Sequence, residues 1–354
     1  TYPNNMNTLS QLVASNVTLQ ELINRSRFPN GKPFSKDLLK LDCAAEADRI
    51  CTFIRPETLQ NFRKKGVIVA VSGGIDSSTV LALAARALGP DRVVALLMPE
   101  KDSSAETLQL SQLMAEHLGV KAVLEDISEV LESSGCYRRR DDAIRRVVPE
   151  YGPGWKSKLV LPNVINSESL RIFSVVAQAP DGTQVTRPLS LEAHLGIIAA
   201  TNFKQRTRKM LEYYHADRLN YAVAGTPNRL EYDQGFFVKL GDGAADLKPI
   251  AHLYKTQVYQ LAEYLQIPAA ILNRPPTTDT YSLPQTQEEF YFCLPYQTMD
   301  LVLYGKTNGY TPAEVAPEIG LSIEQVERVF RDIDAKRRVA HYLHSPASLL
   351  ETVN

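Results

Sequence analysis

The sequence predicts an α/β protein: a doubly wound parallel sheet with flanking helices, carrying a small inserted β element. Three observations predict it. First, residues 67–71 (Val-Ile-Val-Ala-Val) and 92–98 (Arg-Val-Val-Ala-Leu-Leu-Met) are short apolar runs rich in branched side chains, as expected of strands buried on both faces. Second, each run is followed by a segment with helical apolar spacing, Val80, Leu81, Leu83, Ala84, Ala87 and Leu88 after the first and residues 105–118 after the second. Strand and helix therefore alternate, which demands parallel pairing with helices covering both faces. Third, each run ends in small or polar residues, where strand-to-helix turns gather along one edge of such a sheet.

The bulk numbers agree. The chain has 354 residues, 44% hydrophobic and 22% charged, with a formal net charge of −1. This suits a globular protein with one large core or two unequal ones, and argues against a nucleic-acid surface. Cys43, Cys51, Cys136 and Cys293 are widely spread with no C-x-x-C, so they read as reduced thiols, neither a disulfide frame nor a zinc site. No apolar run approaches the length of a membrane span, and the first residues lack a signal pattern, so a cytoplasmic protein without membrane contact is expected.

In chain order, residues 1–36 are polar and rich in Asn, Ser and Pro, with a short helix expected about residues 9–22; they read as an extension. The main domain is expected over 37–340, followed by a tail at 341–354. Leu39, Leu41, Ala45, Ala47, Ile50, Phe53 and Ile54 predict a helix leading into the first strand. A third strand is expected at 121–124 after Gly119 closes the preceding helix. Residues 130–192 are less regular and read as an insert. Residues 137–146 are a charge run, read as a solvated helix of mixed-sign pairs or as a clamp on an anion. Residues 158–161, 171–178 and 183–188 predict strands, the last two forming a hairpin about Asp181-Gly182. A helix at 202–214 and a strand at 219–224 return to the sheet. Residues 312–338 predict two amphipathic helices about Gly320, with Ser322 as N-cap and Gln325 behind it.

The chemistry is concentrated in Ser72-Gly73-Gly74-Ile75-Asp76-Ser77-Ser78. Two glycines between strand and helix bring successive N–H groups close to a ligand, and the helix N-terminus adds free donors and partial positive charge, so the turn is built to hold an anion. It is neither a Walker loop nor a dinucleotide fingerprint. An acid, Asp76, sits inside it, which makes sense where Mg²⁺ lies between carboxylate and phosphate.

This string resembles the pyrophosphate loop of the N-type ATP pyrophosphatases, which split ATP to AMP and PPi. Together with Leu97-Met98-Pro99, Ser103-Ser104, Asn202, Gln205-Arg206-Thr207-Arg208, Gly225-Thr226, Glu231, Gly235-Phe236-Phe237, Lys239, residues 241–246 (Gly-Asp-Gly-Ala-Ala-Asp), 253–256 and 276–279, it is similar to the ammonia-using NAD synthetases, over about residues 37–340. The resemblance implies an adenine nucleotide alpha hydrolase-like fold and an ATP-dependent amide ligase. Such a ligase adenylates the nicotinate carboxylate of deamido-NAD and amidates it with ammonia, giving NAD, AMP and PPi. It implies Asp76 and Glu231 as Mg²⁺ ligands. It implies ATP contacts from Ser72, Gly73, Gly74, Asp76, Ser77, Ser78, Met98, Arg208, Thr226, Lys255 and Thr277. Asn202, Phe236, Lys239, Asp242 and Asp246 would surround the second substrate, and Asp76, Lys255, Thr277 and Asp242 would carry the reaction. A homodimer is implied as well.

The sequence departs from the family pattern in three places: the long insert, Pro227-Asn228 after Gly225-Thr226, and Ile198, where many members carry an aromatic. These leave open a relative that amidates a different carboxylic acid. A tRNA-modifying pyrophosphatase is disfavoured by the scattered thiols and neutral charge, and a non-catalytic ATP binder by the intact Asp76, Glu231 and Lys255. No amidotransferase segment is evident, so free ammonia, or ammonia from a separate glutaminase, is the expected nitrogen source.

Overall fold

A computed structural model describes residues 31–161, 173–277, 280–292 and 294–353. The expected helix about residues 9–22, and Cys293, Thr278 and Asp279, lie outside them.

A four-stranded parallel sheet forms the centre: β1 (Val67–Ala70), β2 (Val93–Leu97), β3 (Lys121–Leu124) and, much later in the chain, a short strand at Ala222–Ala224. Their order is β3-β2-β1 and then that last strand, all pairs parallel. The chain thus winds outwards from β1 through β3 and returns to the opposite side of β1. The reversal opens a crevice at the carboxyl ends of β1 and the last strand, the place where ligands settle in open α/β sheets.

Helices cover both faces. On one, α1 (Cys43–Pro56), α2 (Ile75–Leu88) and α3 (Ala105–Leu118) close over Val67, Val69, Ala95 and Leu97. On the other, Ile68, Val94, Leu96 and Val223 meet Leu131 of α4 (Ser128–Ser133), Cys136 and Tyr137 of α5 (Cys136–Arg145), and Ala216. Alternate residues of β1, β2 and the last strand thus enter different cores, and those runs are apolar throughout because neither face meets water, whereas β3 at the sheet edge is largely exposed.

The insert makes a second, antiparallel sheet, β4 (Lys156–Val160), β5 (Ser174–Gln178) and β6 (Gln184–Pro188), in that order. β5 and β6 join through Asp181-Gly182, as expected, with Gly182 at φ +89°. The charge run is only half solvated: Tyr137, Arg140, Ala143 and Ile144 of α5 are buried. The sheet packs on α6 (Leu191–Leu219), which is far longer than the expected 202–214 helix. Ser190 caps its start, and Asn220, at φ +55°, ends it. The return strand, β7 (Ala222–Ala224), therefore starts three residues later than expected, because Leu219 still completes the helix.

Beyond β7 come α7 (Arg229–Gln234), α8 (Lys255–Tyr264), α9 (Ala269–Leu272), α10 (Tyr296–Thr307), α11 (Pro312–Ile319) and α12 (Ile323–His344). Ser322 and Gln325 form the capping box the sequence signals, and α12 continues past residue 340. Among the described residues, no helix is long and apolar enough to cross a membrane.

Candidate active site

The turn after β1 is shaped by its glycines. Gly73 has φ +65°, and a Cβ there would meet Leu110 Cβ at 2.7 Å and the Thr107 carbonyl oxygen at 2.9 Å. No other residue fits without moving α3. Gly74 is the N-cap of α2 and offers no side-chain cap, so the first N–H groups of α2 are left for a ligand. The Ser77 hydroxyl donates to the Gly74 carbonyl at 3.2 Å and accepts from the Ser72 N–H at 3.2 Å, which holds the turn closed. Ser72, Gly74 and Ser77 line a large cavity at this edge. Ser78 instead points into the core, its hydroxyl wholly buried.

Asp76, in the first turn of α2, meets the residues that follow β7 across the crevice. One carboxylate oxygen accepts from Asn228 Nδ2 at 3.1 Å, and the other pairs with Lys255 Nζ. Asn228 is also the N-cap of α7: its Oδ1 accepts from the Glu231 N–H, while Glu231 Oε2 accepts from the Asn228 N–H, both at 3.2 Å. Glu231 Oε1 accepts from Gln287 Nε2 at 3.0 Å. The strand order thus brings together two acids 155 positions apart, read from their residue numbers. Burial, with the Asp76 charge added, pushes the Glu231 carboxyl up to about 8. Burial opposes the Lys255 charge, yet Asp76 and Glu231 outweigh it and hold the ammonium above its ordinary pKa.

Lys255 is placed by a cap the sequence gives no hint of. The buried Asp300 of α10 accepts from the Lys255 N–H at 3.2 Å and the Thr256 N–H at 2.6 Å, stopping the start of α8 beneath the turn. Thr277 lies in the cavity wall and bridges to Thr286. Arg274 anchors that segment, donating to Thr107 Oγ1 at 2.9 Å and to the Ser72 carbonyl at 3.4 Å.

At the ends of β2 and β7, Met98, Arg208 and Thr226 line the same cavity. Arg208 Nε donates to the Met98 carbonyl at 3.3 Å. One helical turn earlier, Lys204 is 1% exposed and spends its ammonium on Glu100 at 2.8 Å, Asp102 at 2.6 Å and the Thr280 carbonyl at 2.8 Å. Arg140 also pairs with Asp102, and the Tyr137 hydroxyl donates to Glu100 at 2.7 Å. The charge run therefore does two things: Arg138, Asp142 and Arg145 pair on a solvated face, as expected, while Arg140 and Tyr137 join a buried ion network that fixes the loop after β2.

Of the residues expected around a second substrate, Asn202, Phe236 and Asp242 line the cavity. Asp242 accepts from the Val238 N–H at 2.7 Å, and burial raises its pKa. Lys239 and Asp246 are engaged elsewhere. The Lys239 ammonium donates to the carbonyls of Tyr342 and Ser345, both at 2.9 Å, at the end of α12. Asp246 accepts from the Val223 N–H at 2.7 Å and the Tyr213 hydroxyl at 3.1 Å, tying its loop to β7. Sequence reading missed Asn228, Gln287 and Arg274 as site residues. An Asn three residues before Glu is a capping signal that would have flagged Asn228; the other two have no local signal.

Comparison with known proteins follows the same lines. The NAD synthase family model matches residues 46–146 and 164–341, leaving out 147–163, where β4 lies. The NH(3)-dependent NAD(+) synthetase of Rhizobium meliloti (strain 1021) is 58% identical over 320 residues, spanning 90% of this chain and 96% of the relative. That of Thermotoga neapolitana is 34% identical over 294 residues, covering 82% and 93%. Among solved structures, the NMN synthetase of Francisella tularensis superposes with a TM-score of 0.62 at 20% identity, over 88% of this chain and all of that one. The NH3-dependent NAD synthetase of Campylobacter jejuni gives 0.57 at 21% identity, with the same coverage. These two likenesses establish the fold, a parallel sheet with flanking helices. With the family match over most of its length and a relative 58% identical over 90% of the chain, the chain belongs to the NAD synthase family.

Proposed function

We propose that this protein is an ammonia-dependent NAD synthetase. A carboxylate oxygen of the nicotinate group of deamido-NAD attacks the α-phosphorus of ATP, and PPi leaves with the bonding electrons. Ammonia then attacks the acyl carbon, the amide forms with loss of a proton, and AMP leaves carrying the attacking oxygen. The observation that carries this reading is the convergence of Asp76, Glu231 and Lys255 at the crevice beside an anion-binding turn.

In this reading the turn from Ser72 through Gly73 and Gly74 to Ser77 holds the pyrophosphate through the N–H groups left free there, where leaving-group charge develops. Ser78, its N–H given to the Gly74 carbonyl, backs the turn. Lys255 and Thr277 hold phosphate oxygens, and Met98, Arg208 and Thr226 border the nucleoside. Asn202, Phe236, Lys239, Asp242 and Asp246 serve deamido-NAD. Asp242, at the cavity wall and raised in pKa, is suited to take the proton lost as ammonium delivers ammonia. For Lys239 to reach substrate it would first leave the α12 carbonyls.

The donor set fits Mg²⁺. Two carboxylates face one space, burial and the Asp76 charge raise the Glu231 pKa even beside Lys255, and the carboxylates offer oxygen donors. Among the described residues no group of three or more acids, histidines or cysteines is placed to cage a metal. That matches an ion that keeps its waters and substrate oxygens. Asp76 and Glu231 would hold it, and it would neutralise charge on the departing pyrophosphate.

A homodimer is supported by α6. Leu191, Leu195, Met210 and Tyr214 are 74%, 56%, 55% and 57% exposed, two pairs of apolar side chains towards the two ends of the helix that carries Asn202 and Arg208. We further assign residues 37–340, continued by the end of α12, as the catalytic region, 130–192 as its insert, 1–36 and the residues after Ser345 as appendages, and the cytoplasm as the site of action.

Purified protein given ATP, Mg²⁺, ammonium and deamido-NAD should yield NAD, AMP and PPi in equal amounts. Asp76→Asn should abolish PPi release while the far-UV circular dichroism stays that of the parent. Wild-type PPi release from that variant would sink the metal assignment, and PPi formed only with another carboxylic acid would sink the substrate.

A further inference from the structure

The cavity does not end at the phosphate turn. It holds about 850 Å³ and runs from Ser72 and Asp76 to Leu161 and Phe173 at the mouth of the inserted sheet. A nucleotide anchored by its phosphates at the turn places its base at the ends of β2 and β7, beside Met98 and Thr226. The opposite end is left, and it is aromatic. Phe173 stacks on His194 of α6, with ring centroids 4.5 Å apart and planes at 21°. Phe290 stands 6.2 Å from Phe173, 5.5 Å from Tyr281 and 5.9 Å from Phe236. The insert is thereby joined through one ring to Phe236.

We propose that the inserted sheet is part of the active site, and that Phe173, stacked on His194, is a specificity-determining wall for the flat heteroaromatic ring of the acid being activated. The inference rests on the proposed function and deepens it.

Three features support it. Phe173, His194 and Phe290 remain half-buried although each is packed against another ring, so ring surface is left facing the cavity. Aromatic faces and edges favour a planar, electron-poor ring over an aliphatic chain. Burial lowers the His194 pKa, which keeps the imidazole neutral near pH 7, so the wall carries no charge to capture the substrate carboxylate away from the α-phosphate. Ile198, one turn further along α6, lines the same space with an aliphatic side chain, so the ring surface there comes from Phe173 of the insert and from His194.

The test compares initial rates of NAD formation for the parent, Phe173→Ala, Phe173→Leu and, as an insert control, Arg187→Ala on the exposed strand β6. Loss of one ring-to-ring contact of this kind should raise KM for deamido-NAD about three- to tenfold. KM for ATP should stay within about twofold, and Arg187→Ala should match the parent. Phe173→Leu keeps apolar volume and decides the matter if the alanine variant is poorly folded. An unchanged KM for deamido-NAD in the leucine variant, or an equal rise in KM for ATP, overturns the wall. A parent protein that makes no NAD from deamido-NAD overturns instead the function beneath it.

Discussion

Replacing Lys204 by Met tests how the loop after β2 is held. The ammonium makes three hydrogen bonds, to Glu100, Asp102 and the Thr280 carbonyl, and the side chains of Lys204 and Glu100 are 1% and 0% exposed. Hydrogen bonds to charged groups contribute about 1.5–3 kcal/mol each, a gross loss of several kcal/mol. Against that, methionine removes the cost of desolvating an ammonium and fills most of its volume. Asp102 keeps Arg140, whereas among the described residues Glu100 keeps the Tyr137 hydroxyl and the Asp102 N–H as partners. Breaking a buried pair and leaving one charge behind typically destabilises by about 3–5 kcal/mol, and that is the expected loss here. Urea unfolding followed by fluorescence and circular dichroism measures it. Lys204→Met/Glu100→Gln should recover part of the loss, with a coupling above about 1 kcal/mol. A single variant less than about 1 kcal/mol below the parent would refute the reasoning: the charges would then be solvated.

Two further outcomes follow from the same contacts. Asn228→Ala removes the α7 cap and the donor to Asp76, so stability should fall by about 1 kcal/mol. NAD formation should fall far more, because Glu231 loses its placement; equal loss of stability and rate, or an unchanged rate, would show that Asn228 is a cap only. Burial works against the Asp102 charge, yet Lys204 and Arg140 hold its carboxyl below the ordinary value. The unfolded chain therefore binds a proton that the folded chain refuses, so stability rises with pH through that window. The contribution is complete above about pH 5 and is lost as pH falls below about 4. Unfolding curves from pH 3 to 7 should show this acid limb, and Asp102→Asn should flatten it; an unchanged slope would mean that another carboxylate dominates.

Much of the fold was legible because its signals are local. Buried parallel strands need unbroken apolar runs, and Val67–Ala70 and Val93–Leu97 supply them. The Ser322 capping box and the Asp181-Gly182 turn were readable for the same reason. The full length of α6 was hidden, because its buried positions include Lys204, Thr207, Lys209, Glu212 and His215, polar residues that no apolar periodicity marks. The site divides likewise. Asp76 was visible from its own turn, and Glu231 and Lys255 through resemblance. The Asp300 cap of α8 and the Gln287 contact to Glu231 span 45 and 56 positions, and nothing near them in sequence announces the meeting. Arg140 shows the limit from the other side. A run of like and mixed charges reads as solvated until the fold supplies Asp102.

The central claim is that a carboxylate attacks the α-phosphorus in the crevice between β1 and β7. Deamido-NAD labelled with ¹⁸O in both carboxylate oxygens tests it most directly, with mass analysis of the AMP, PPi and NAD formed in ordinary water. An acyl-adenylate transfers one labelled oxygen to every AMP, leaves one in the amide of NAD and none in PPi. AMP without label would mean that water, not the carboxylate, cleaves ATP, and would contradict the account.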